Sequence, residues 1–163
     1  HCIPLDPMYL SWKAKSFGFF NRFIELATDI NGNMPRFLLD KLMRILNKRG
    51  KHLKDSRVLV LGVAYKPGVS DTRESPGLEV LRLLNEAQAN ISYHDPFVPT
   101  LLLDSHTLES VPLDREYLQS CDCVLLATAH AQLDLTFIAD SAPLILDTRN
   151  AFSTFRKPNI VRL

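Results

Sequence analysis

Apolar positions change their spacing near residue 57. Before it, Tyr9, Leu10, Trp12, Phe17, Phe20, Phe23, Ile24, Ala27 and Ile30 recur at three- and four-residue intervals, the period of a helix face. Asn31-Gly32-Asn33 interrupts that pattern, and Pro35 suits the first turn of a further helix. That helix would carry Phe37, Leu38, Leu42, Ile45 and Leu46 on one side and stop at Gly50. The spacing therefore predicts either a helical hairpin or one long helix kinked near residues 31–35. So much apolar surface on so few residues needs a partner, and a homodimer is expected.

From Arg57 the pattern becomes that of strands. Val58-Leu59-Val60-Leu61-Gly62-Val63-Ala64 is a β-branched apolar run without polar alternation, the character of a buried parallel strand. A loop follows, then a helix opened by Ser75-Pro76 and running to about Gln88. Asn90–His94 reads as a second strand, closed by Asp95-Pro96. A poorly ordered stretch is expected over 97–112, then a short helix at Asp114 to Gln119. Cys123–Ala127 and Leu144–Asp147 read as two more strands, with a helix at Leu133 to Asp140 between them. Strands alternating with helices predict a Rossmann-like α/β fold, a parallel sheet with helices on both faces. Ligands of such sheets bind at the carboxyl ends of the strands. The polar residues expected there are Lys66, Asp71, Arg73, His94, Asp95, Thr128, His130, Asp147 and Arg149.

Composition narrows the function classes. Of the 163 residues, 46% are hydrophobic, which excludes disorder as the main state. The net charge is +1, so no strong field steers the chain onto nucleic acid or an anionic membrane. No apolar run approaches the ~20 residues of a membrane helix. The three cysteines, Cys2, Cys121 and Cys123, have no disulfide-framework spacing, which points to a reducing cytoplasm.

The loop from Tyr65 to Pro76 holds Lys66 and Arg73, and Ser75 can cap the helix behind it. Helix-start N–H groups and an arginine fork both suit a phosphate, although an ordinary solvated loop has the same composition. Neither a Walker pattern nor G-x-G-x-x-G is present in it. Cys2 and Asp6 are four residues apart and would share a face on a helical turn, with Pro4 between them. A thiol beside a carboxylate can serve as nucleophile and water-positioner, or be a plain surface thiol. His1, Cys2 and His94 match no zinc spacing. Cys123 reads as a small apolar residue of a buried strand. From these features alone the chain is an α/β domain for something anionic.

Five strings in register resemble one family, the UDP-glucose/GDP-mannose dehydrogenases (nucleotide-sugar 6-dehydrogenases). His1-Cys2-Ile3-Pro4-Leu5-Asp6-Pro7 resembles that family's catalytic segment, G-G-H-C-I-x-x-D-P. Asp29-Ile30-Asn31 with Met34-Pro35 resembles its central helix. Leu61-Gly62-Val63-Ala64-Tyr65-Lys66 with Asp71-x-Arg73-Glu74-Ser75-Pro76 resembles the opening of its C-terminal domain. Tyr93-His94-Asp95-Pro96-x-Val98-Pro99 and Asp147-Thr148-Arg149-Asn150 resemble later strings. The resemblance implies oxidation of the C6 alcohol of a nucleotide-linked sugar to a carboxylate with two NAD. It makes Cys2 the nucleophile that takes the aldehyde through a thiohemiacetal and a thioester, with Asp6 helping to activate the hydrolytic water. It places Tyr65, Lys66 and Arg149 on the nucleotide-sugar and Arg73 on the NAD phosphates.

The His-Cys-Ile-Pro form, followed by Trp12-Lys13-Ala14, is similar to bacterial members acting on UDP-N-acetylglucosamine or UDP-N-acetylmannosamine, which supply capsule and O-antigen. UDP-glucose members more often read Ser-Cys-Phe. Pro67-Gly68-Val69-Ser70 departs from the commoner loop. Against the family pattern, the NAD-binding Rossmann domain, the lysine and asparagine of the preceding helix, and the glycines before His1 are not among these residues. The chain thus reads as a C-terminal half: a helical dimerisation segment over 1–52 and a UDP-sugar-binding domain over 53–163. On that reading it is inactive alone, with NAD bound mainly elsewhere. Two other readings compete: a non-catalytic nucleotide-sugar-binding or dimerisation module, and a metal-assisted hydrolase on a similar fold.

Overall fold

A computed structural model describes residues 2–163, so His1, with its part in the His-Cys motif and the histidine–cysteine trio, lies outside the described residues. In chain order the elements are α1 (Cys2–Lys15), α2 (Arg22–Asn47), β1 (Arg57–Leu61), α3 (Pro76–Glu86), β2 (Asn90–His94), β3 (Thr100–Leu103), β4 (His106–Glu109), α4 (Arg115–Ser120), β5 (Cys123–Leu126), α5 (Leu135–Ser141), β6 (Ile145–Asp147) and β7 (Ile160–Arg162). Strands β2-β1-β5-β6-β7 form one sheet in that order, every neighbour parallel.

Alternation along each strand builds two cores. Val58, Val60, Cys123, Leu125 and Leu146 face α2 and α3, meeting Leu38, Leu42, Leu46, Leu81 and Leu84. Leu59, Leu61, Val124, Leu126 and Ile145 face α4 and α5, meeting Leu118, Ile138 and Phe152. Both faces of the sheet's centre, β1, β5 and β6, are therefore dry, which is why these strands read as apolar runs. The expected α/β sheet with helices on both faces is what forms. Each short helix is opened by a capping side chain: Ser75 accepts from Gly77 N–H, Asp114 from Tyr117 N–H and Asp134 from Phe137 N–H.

The helical region forms a hairpin, but it turns elsewhere than at the expected interruption. α1 ends at Gly18, where Phe19 N–H reaches Ala14 C=O (3.1 Å) and Gly18 N–H reaches Lys15 C=O (3.0 Å). That bond pair is a Schellman stop, and the φ of +74° at Gly18 is the left-handed conformation it needs. α2 then runs unbroken through Asn31-Gly32-Asn33 and Pro35. Asn33 Nδ2 donates to Asp29 C=O (2.9 Å), and the buried Leu38, Leu42 and Leu46 dock the helix on the domain. Packing overrides the local breaker signals. The end of α2 before Gly50 agrees with expectation.

Two further differences concern short strands. The stretch 97–112 is not poorly ordered but contains the antiparallel hairpin β3–β4, with Leu101 and Leu103 buried and Leu102 out. Asp104, at φ +54°, and Ser105 make its two-residue turn. The three-residue edge strand β7 has no counterpart in the sequence reading.

Candidate functional site

The chain passes from β1 outward to β2 and then back across β1 to β5. The two strands therefore send their outgoing loops in opposite directions, and the crevice at their carboxyl ends is the topological switch point. What lies there is built on two buried carboxylates.

Asp95 directly follows β2 and is 2% exposed. Its Oδ2 accepts from the N–H groups of Val63 (2.8 Å) and Ala64 (2.9 Å), and its Oδ1 from Phe97 N–H (2.9 Å). His130, in the β5–α5 loop, lies 3.0 Å from the same Oδ2 through Nε2. Its Nδ1 accepts from Gly68 N–H (3.2 Å). Because Nδ1 accepts, the ring proton sits on Nε2 and is donated to Asp95. Thr128 Oγ1 donates to Ala64 C=O (2.8 Å). Thr128 also packs against Gly62, whose φ of +79° turns the chain out of β1. The floor of the crevice is thus filled with protein, and a ligand must lie on the rim above it.

Asp147, at the end of β6, is held in the same manner. Its oxygens accept from Arg149 N–H (2.9 Å), Ala151 N–H (3.2 Å) and Phe152 N–H (2.9 Å). Thr148 Oγ1 donates to Leu126 C=O (2.7 Å), and Arg149 Nε donates to Ala127 C=O. Arg149 is therefore held beside the end of β5 while the residue stays exposed. Both carboxylates spend their charge on backbone donors, which is how a buried anion is tolerated.

On the rim stand the sequence-predicted residues of this domain. Tyr65, half-buried, and Lys66, exposed, follow β1 directly, and Tyr65 N–H closes the loop on Asp71 C=O (2.7 Å). Arg73 holds Asp71 through Nε (3.0 Å) and Nη2 (2.7 Å). The guanidinium draws the Asp71 carboxyl down to about 2 and is itself raised by it. The Arg73 side chain is 73% exposed, so it faces outward from the domain. Glu74 takes a φ of +55° just before the cap at Ser75, turning the chain sharply into α3.

Cys2 and Asp6 lie on the first two turns of α1. The helix runs through Pro4 and Pro7, so the two residues share a face, and both are exposed. Cys121 and Cys123 are buried, and burial pushes the Cys123 thiol up to about 12. The exposed thiol is therefore Cys2. His94 is taken up by Val111 C=O (Nδ1 to O 2.7 Å). Among the described residues no group of three His, Cys, Asp or Glu side chains is arranged to hold a metal ion, and no helix is long and apolar enough to cross a membrane. The linkage of Asp95, His130 and Gly68 is the part that sequence reasoning missed. The sequence places Asp95 and His130 at strand ends and Gly68 in the loop after β1, but nothing in the local sequence joins positions so far apart.

Comparison with known proteins bears on this arrangement. Residues 59–154 match the model of the UDP-glucose/GDP-mannose dehydrogenase family, UDP binding domain. A UDP-N-acetyl-D-mannosamine dehydrogenase of Methanococcus maripaludis is 32% identical over 130 residues, 80% of this chain and 28% of that protein. A UDP-N-acetyl-D-glucosamine 6-dehydrogenase of Pseudomonas aeruginosa is 29% identical over 133 residues, 81% of this chain and 31% of that protein. The solved UDP-D-ManNAc dehydrogenase of Pyrococcus horikoshii superposes with a TM-score of 0.78 at 26% identity, covering 99% of this chain and 37% of that one. The chain thus spans about a third of the length of the relatives it matches.

Proposed function

The chain belongs to the UDP-glucose/GDP-mannose dehydrogenase family, and we propose that it is the UDP-binding part of an NAD-dependent dehydrogenase converting a UDP-N-acetylhexosamine to its uronate. The observation that carries this reading is the rim of the β1/β5 switch point. There Lys66 and Arg149 stand as exposed cations over loops pinned by Asp95 and Asp147. A diphosphate laid across that rim would meet a lysine ammonium and an arginine fork on preorganised backbone. Tyr65, beside Lys66, offers a ring and a hydroxyl to the nucleoside or sugar.

In the reaction, Cys2 as thiolate adds to the C6 aldehyde and holds it as a thiohemiacetal, so the aldehyde does not escape between steps. Loss of a hydride leaves a thioester, which one water cleaves to the carboxylate and the free thiol. Asp6, four residues on along α1, takes the proton of that water. NAD, when bound, would supply the oxidant for both hydride losses, that of the C6 alcohol to the aldehyde and that of the thiohemiacetal. The residues of this chain fit it only at the edge. The outward Arg73 can reach a phosphate, whereas the turn after β1 has no glycine-rich cradle. The 163-residue chain on its own is expected not to turn over UDP-sugar with NAD. The reading places the chain in the cytoplasm, whose reducing poise keeps a thiol nucleophile free, and its UDP-aminuronate product would be a sugar donor for capsule or O-antigen assembly.

Calorimetric titration tests the binding reading. UDP and UDP-N-acetylglucosamine are expected to bind and NAD not to. Lys66→Ala and Arg149→Ala should each weaken UDP by roughly tenfold, the scale of one charge-assisted hydrogen bond. Heat from NAD but not from UDP would overturn it.

A homodimer through α1 and α2 completes the proposal. Phe23 (85% exposed), Phe17 (77%) and Trp12 (72%) lie on these helices or the turn between them, with Phe20 and Ile30 also out. Apolar exposure on this scale marks an interface. Sedimentation at micromolar concentration is expected to give twice the chain mass. The double variant Phe20→Asp, Phe23→Asp should give the single mass with the domain still folded.

A further inference from the structure

We propose that His130 is a positioning residue for UDP binding: anchored on Asp95, its neutral imidazole accepts Gly68 N–H and so holds the Lys66 loop at the switch point. This rests on the reading of that rim as the UDP site.

Three loops that are remote in sequence meet at this imidazole. Asp95 follows β2, Gly68 lies in the loop after β1, and His130 lies in the loop after β5. The side chains of His130 and Asp95 are both fully buried. The ring of Phe97 covers the imidazole at 5.1 Å between centroids. Each ring nitrogen has one partner of opposite demand: Nε2–H serves the carboxylate, and Nδ1 receives the amide. An imidazole so placed is in one tautomer, and that tautomer is fixed by its neighbours.

Tyr65 N–H closes the start of this loop on Asp71 C=O, and Gly68 N–H ties its far side to His130. Gly68, exposed and with open space around its Cα, takes a φ of +76°. Lys66 is two residues away. With Gly68 tethered, the Lys66 backbone is fixed at both ends, by Ala64 on Asp95 and by Gly68 on His130. An ordered loop spares the binding of a diphosphate the entropy of ordering it.

Two substitutions separate the functions of the two nitrogens. In His130→Gln the amide NH2 can take the place of Nε2–H on Asp95, but nothing accepts Gly68 N–H. In His130→Asn the side-chain oxygen can take the place of Nδ1 and keep Gly68, while Asp95 loses a donor. Each is measured for urea stability, for hydrogen exchange at the Gly68 amide and for UDP affinity by titration. His130→Gln is expected to stay near wild-type stability, to lose protection at Gly68 and to bind UDP roughly tenfold more weakly, a factor of one hydrogen bond. His130→Asn is expected to be less stable, to keep Gly68 protected and to bind UDP within about twofold of wild type. Affinity that follows stability across the variants, instead of Gly68 protection, would make His130 only a filler of the core and overturn the proposal. If His130→Asn does not fold, His130→Gln against wild type decides alone, with unchanged affinity as the overturning result. Wild type that fails to bind UDP would overturn the site reading, whereas unchanged Gly68 exchange in His130→Gln would overturn the tether whether or not UDP binds.

Discussion

Gly62→Ala is expected to be the most destabilising single-methyl change in this domain. A Cβ at position 62 would lie 2.7 Å from Thr128 Cβ and still nearer to Thr128 C=O. Two of the opposing atoms, Thr128 C and O, are backbone just beyond the central strand β5, so they cannot turn aside as a flexible side chain would. Gly62 also has a φ of +79°, and a side chain in that conformation costs about 1–2 kcal/mol. Overpacking adds a further 1–3 kcal/mol or so. Together these predict a loss of about 2–5 kcal/mol and a fall in melting temperature of about 5–15 °C. Gly32→Ala is the matching control. Gly32 sits inside α2 with nothing within 4 Å of an added Cβ, and there alanine should stabilise by about 0.5–1 kcal/mol. Thermal melts of the two variants against wild type decide the matter. A Gly62→Ala melt within about 2 °C of wild type would show that β1 and β5 part easily at their carboxyl ends. The same contact has a functional side. It closes the crevice floor, and displacing Thr128 would carry His130 with it and loosen the rim where Lys66 stands.

The centre of the sheet was legible because β1, β5 and β6 are dry on both faces. Val58 to Leu61, Cys123 to Leu126 and Ile145 to Leu146 leave no polar alternation to misread, and the intervening helices have capping residues at their starts. The helical region was legible as to period and not as to turn. Asn31-Gly32-Asn33-Met34-Pro35 is a strong local breaker, but Leu38, Leu42 and Leu46 dock their half of α2 on the domain and carry the helix through. The true turn, at Gly18, offered one glycine after two lysines, a weaker signal that is nonetheless what a Schellman stop uses. The β3–β4 hairpin was hidden because Leu101-Leu102-Leu103 reads as a run, although its burial alternates, and because Asp-Ser is a poorer turn signal than Asn-Gly. Within the site, topology placed Lys66, Arg73 and Arg149 at the strand ends. It placed Asp95, Thr128, His130 and Asp147 there too, but that they form a buried layer beneath the others was out of reach. Asp95, Thr128, His130 and Asp147 act through partners up to 64 residues away, and such pairing is a property of the folded sheet.

Cys2→Ala in the full-length enzyme is expected to abolish turnover of the UDP-sugar, by about a thousandfold or more, as loss of a covalent nucleophile does. UDP affinity should stay within about twofold, because Cys2 lies on α1 and the proposed diphosphate cations lie after β1 and β6. That split between turnover and binding separates two readings of the chain. A non-catalytic nucleotide-sugar module would lose neither. A dehydrogenase whose thiol captures the aldehyde loses the first and keeps the second. The other cysteines cannot substitute. Cys121 and Cys123 are buried in the domain, and desolvation raises both thiols, Cys123 to about 12. Because thiolate is the reactive form, neither offers a nucleophile at neutral pH. A direct check needs no cofactor. Native alkylation with iodoacetamide should add one label per chain, at Cys2, and denaturation should raise the count to three. Rapid labelling of Cys121 or Cys123 in the folded protein would contradict the burial that leaves Cys2 alone to react. Full activity in Cys2→Ala would remove the covalent step altogether and leave the rim of the switch point as a binding site without chemistry of its own.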